Sequence, residues 1–75
     1  MDRKVAELLV LKSQENYIRV LENGFKPCPL DKASVFPMRQ LELVISLGHS
    51  LVKAGYRDVS LQRLTIFEEK MKEIK

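Results

Sequence analysis

All three prolines of this chain, Pro27, Pro29 and Pro37, fall within one stretch, GFKPCPLDKASVFP, running from Gly24 to Pro37. Proline fixes φ and lacks an N–H, so it is excluded from a helix interior. It also pushes the preceding residue out of the α region, which here affects Lys26 and Cys28. Residues 25–34 therefore read as a rigid extended connection, and the chain on each side of it is read from its own periodicity.

Before the connection, Leu8, Leu11, Ile18 and Leu21 recur at spacings of three and seven, and Val10, Tyr17 and Val20 widen that face. This is the pattern of an amphipathic helix. It predicts a helix over residues 3–23, capped by Asp2 and stopped at Asn23-Gly24. After the connection, Leu41, Val44, Ile45, Leu51 and Val52 form a broad apolar arc, with Leu43 and Leu47 beside it. A second helix is expected over 35–54, opened by Asp31 or Ser34 with Pro37 in its first turn, and ended by Gly55. A third is expected over 60–74 from Leu61, Leu64, Phe67, Met71 and Ile74. The fold class expected is all-α: one domain of residues 1–75, a three-helix bundle built on a helical hairpin with a short third helix.

A chain of 75 residues buries only about 60% of its unfolded surface and is marginal without extra support. Cys28 is the sole cysteine and His49 the sole histidine, so neither an internal disulfide nor a four-ligand zinc site is available. Good helix packing or self-association remains as the source of extra stability. The wide arc of the second helix predicts a homodimer, with Gly48 allowing another helix to cross closely.

The apolar share of 45% and charged share of 31% suit a folded chain. No apolar run approaches the roughly 18 residues of a membrane span. Residues 1–17 do not read as a signal peptide. With an unpaired cysteine, the expected location is the cytoplasm.

Chemistry is sparsely signalled. Cys28 near Lys26 invites a reactive-thiol reading, set against a small apolar plug in a packed loop. A Cys28–His49 dyad is not expected, because about 20 Å of helix would separate the two. No phosphate loop, HExxH or GxSxG occurs, and neither enzyme activity nor a cofactor is expected. Large apolar residues crowd the proline-rich connection, which makes Phe25, Leu30, Val35, Phe36 and Met38, with Gly48, the candidate partner-binding set. The function these features predict is a small non-enzymatic interaction module, an adaptor or regulator acting through an apolar helical surface on itself and another protein.

The alternative is nucleic-acid binding. The net charge is +3, and residues 44–72 have the outline of a helix-turn-helix. Lys53, Arg57, Gln62 and Arg63 would then face the nucleic acid, while Glu68, Glu69 and Glu73 would oppose it.

Overall fold

A computed structural model describes residues 3–74 of the chain. It is not a helical bundle. Five strands form one antiparallel sheet: β1 (Arg3–Ser13), β2 (Asn16–Leu21), β3 (Gly24–Cys28), β4 (Val35–Pro37) and β5 (Val59–Glu68). The described residues contain a single α-helix, α1 (Leu41–Lys53), together with two 3-10 turns at Leu30–Lys32 and Met38–Gln40. Of the three expected helices, 3–23 is the strand pair β1–β2, 60–74 is mainly β5, and only the later part of 35–54 is α-helical. The helical hairpin is therefore absent. The expected cap at Asp2 lies outside the described residues.

β1 organises the sheet. β5 runs along one edge of it, from Arg3↔Glu68 to Ser13↔Val59. The other edge is shared: β2 pairs with it at Lys12↔Tyr17 and Ser13↔Asn16, and β4 at Leu8↔Pro37 through Val10↔Val35. β2 and β1 part where the chain enters β4. Ser34 holds that junction: its N–H donates to the Ile18 carbonyl at 3.1 Å, and its hydroxyl accepts from the Val20 N–H at 2.8 Å. β3 extends the sheet beyond β2 through Tyr17↔Cys28 to Leu21↔Gly24. Half of the proline-rich connection is thus a strand, and its extended backbone is what Pro27 permits at an edge.

Side chains alternate along these strands. One face of the sheet carries Leu9, Leu11, Ile18 and Leu61, and on it α1 sets Val44 and Leu51, both fully buried. Phe25, Phe36, Leu47, Tyr56 and Val59 surround this core. The helix ends in a Schellman motif: Tyr56 N–H donates to the Leu51 carbonyl and Gly55 N–H to the Val52 carbonyl. Gly55, at φ 96°, supplies the left-handed turn. The motif directs Tyr56 back onto the core, where its ring meets Phe25 edge-on at 6.2 Å and its hydroxyl donates to the Phe25 carbonyl.

The following loop is tied to the β1–β2 hairpin. Ser13, buried in β1, donates its hydroxyl to the Arg57 carbonyl at 2.6 Å, and Gln14 N–H donates to the Asp58 carbonyl. The molecule is long, 51 × 22 × 22 Å. Its radius of gyration, 14.7 Å, exceeds the about 11 Å typical of a compact chain of this length.

Candidate functional site

The elongation has a definite origin. β4 pairs with β1 from Leu8 onward, so among the described residues β5 is the sole partner strand of residues 3–7 of β1. They form a two-stranded arm with residues 65–68, interrupted by a bulge between Lys4 and Ala6. A lone two-stranded ribbon is marginal in water. The arm is also poorly covered: Val5, Ile66 and Phe67 are exposed, Phe67 by 60%. Its ion pairs, Lys4–Glu7 at 3.4 Å and Arg63–Glu7 at 3.6 Å, lie at the surface. Residues 69–74 follow without regular structure, and Met71 is 92% exposed.

The two edges of the sheet differ. β3 is five residues long and contains Lys26 and Pro27, both of which blunt an edge against pairing. β5 is ten residues long and contains no proline. Among the described residues no strand pairs along its outer edge. Beside it, between α1 and β5, runs an open groove of about 200 Å³ lined by Leu11, Ile45, Gly48, His49, Val52, Val59, Ser60 and Leu61. Ile45 and Val52 are exposed there. Past the groove, the α1 side of β5 carries Arg63 and Thr65 before Phe67, and Ile66 lies on the opposite face.

The residues expected to bind a partner do not form one patch. Phe25 and Phe36 pack against the core, whereas Leu30, Val35 and Met38 are exposed. Gly48 admits a close approach, but of the sheet and not of another helix. A Cβ built there would lie 3.5 Å from Leu11 Cδ2 and 4.0 Å from Val59 Cγ1. The helix-turn-helix outline of 44–72 is replaced by helix, loop and strand, since β5 occupies the place of a recognition helix. Gln62 and Arg63 are consecutive in that strand and point to opposite faces. Lys53 ends α1 and Arg57 lies in the loop after it, both exposed.

Cys28 is buried at the end of β3, the packed environment of a small apolar plug. His49 lines the groove beside β5, at the other edge of the sheet. Among the described residues no three His, Cys, Asp or Glu side chains gather as a metal site. No helix among them is long and apolar enough to cross a membrane.

The β5 edge was missed in the sequence although it left a signal. VSLQ and RLTI each alternate, with a phase change between them, and Val59, Thr65, Ile66 and Phe67 favour strands. No family model, no curated protein and no solved structure matches the chain.

Proposed function

We propose that this protein is a non-enzymatic interaction module that assembles with a second copy of itself along the outer edge of β5. The observation that carries this reading is the unpaired ten-residue edge, flanked by exposed apolar side chains on an arm with no other support. Such an edge is a template for a further strand. Antiparallel pairing of two β5 strands is self-complementary, as a two-fold axis requires. Centred on Thr65, it sets Leu64 opposite Ile66, Gln62 opposite Glu68 and Arg63 opposite Phe67. Each arm would then gain a third and fourth strand, which a ribbon of this kind needs for independent stability.

Sedimentation tests the proposal. The parent chain is expected to sediment as a dimer at micromolar concentration, and the double variant Ile66→Lys/Phe67→Lys as a monomer with the same helical circular dichroism. A parent chain that stays monomeric throughout a concentration series refutes the reading.

A further inference from the structure

The face of the sheet turned away from α1 carries a different chemistry. Strand register puts Lys12 and Tyr17 opposite one another, and Arg19 opposite Lys26, all on this side. The ammonium of Lys12 lies 4.9 Å from the centre of the Tyr17 ring, which confirms that β1 and β2 share this face. Arg19 and Lys26 are directly cross-strand, at a Cβ separation of about 5 Å. Like charges so placed repel and lower stability. None of the three cations forms an ion pair among the described residues. The nearby acids Glu22 and Asp31 are exposed and unpaired with them. Elsewhere the same molecule does pair its charges, as Glu7 does with both Lys4 and Arg63.

We infer that this face binds the backbone of single-stranded nucleic acid, with Lys12, Arg19 and Lys26 meeting the phosphates. Three unpaired cations on one flat surface complement a line of negative charge. The surface between and beside them is apolar or hydrogen-bonding: half-buried Tyr17, exposed Leu21 and Val35, and Gln62 whose Nε2 donates to Ser60 Oγ at 2.9 Å. A basic groove beside base-sized apolar surface is the general design of single-strand binding, whose affinity is sequence-tolerant and strongly salt-dependent. A bilayer surface would be met by cations alone, without need of that platform. The three cations lie on β1, β2 and β3, away from the β5 edge, so the inference does not depend on self-association.

The test is fluorescence anisotropy of the full chain with labelled oligo(dT), alone and against vesicles of anionic lipid. Binding to oligo(dT) is expected, with log K falling against log salt at a slope of about −2 for three phosphates neutralised. Arg19→Ala and Lys26→Ala are each expected to reduce that slope by about 0.7. Both variants should melt no lower than the parent, because each removes a like-charge contact. Lys53→Ala and Arg57→Ala, on the other side of the molecule, should leave the slope unchanged. The inference is overturned by absence of oligo(dT) binding, by binding that Arg19→Ala and Lys26→Ala do not weaken, by loss that follows Lys53 and Arg57 instead, or by vesicles binding where oligo(dT) does not.

Discussion

β1 and β5 run together through two very different surroundings. At one end, between Leu9 and Ser13, they lie beneath α1, and β1 has a strand on both edges. There Leu9, Val10, Leu11 and Ser13 are buried in succession. At the other end, between Arg3 and Glu7, the same two strands pair across one bulge, but among the described residues no helix, no third strand and no buried residue accompany them. Backbone pairing is thus nearly continuous, while side-chain burial stops halfway. Burial, at roughly 25 cal/mol per Å² of apolar surface, is what stabilises a fold of this size. Hydrogen bonds exchanged with water add only about 0.5–1.5 kcal/mol each. The comparison assigns stability to the helix-covered end and leaves the arm without apolar cover among the described residues.

The largest expected effect comes from opening the covered end. Leu51 is fully buried, touches the sheet core and also receives the Tyr56 N–H that ends the helix. Leu51→Ala should cost about 2–5 kcal/mol, the range for buried leucines, measured by urea unfolding. A loss below about 1 kcal/mol would mean that α1 is not the principal cover of the sheet, and the contrast between the two ends would disappear.

How much of this was legible in the sequence depends on which end is considered. The stop of α1 at Gly55 could be read from the apolar arc Leu41 to Val52 and the glycine after it, although the helix was expected from residue 35 and begins at Leu41. β1 was misread for a physical reason. A strand buried on both faces shows a continuous apolar run, here Leu8 to Leu11, and not alternation. In a short run that pattern cannot be told from a helix by period alone. Tyr17, Ile18 and Val20 favoured a strand by side-chain shape, and Gly24 favoured a turn, but the spacing of Leu11, Ile18 and Leu21 suggested a helical face. Of the site, the apolar character of Phe67 and the positive charge of Arg19 were visible as composition. Their positions, on an open edge and an open face, follow only from register.

Between the two ends lies the seam where α1 crosses the sheet at Gly48. A helical glycine costs about 1 kcal/mol relative to alanine. The Cβ of an alanine here would make ordinary contacts, 3.5 Å to Leu11 Cδ2 being the shortest. Gly48→Ala is therefore expected to raise stability by up to about 1 kcal/mol, read as a higher melting temperature. A larger side chain would enter the groove beside β5 and press on Val59. Destabilisation by alanine itself would show that the helix sits closer to β1 than these distances allow.

The smallest effect is expected on the arm. Glu7 accepts both of the arm's ion pairs, from Lys4 and Arg63, on the α1 side of the sheet. Arg63 and Lys4 remain more than half exposed there, and exposed pairs are worth about 0.2–1 kcal/mol. Glu7→Gln should accordingly lower stability by less than about 1 kcal/mol, and the difference should vanish in 1 M salt, where the screening length is about 3 Å. The outcome bears on the assembly too. If β5 pairs with its copy about Thr65, Arg63 faces the partner's Phe67, and the loss on Glu7→Gln should grow with protein concentration as the dimer forms. A loss independent of both salt and concentration would place the stabilising contacts of the arm elsewhere, and the division of labour between the two ends of β1 would have to be redrawn.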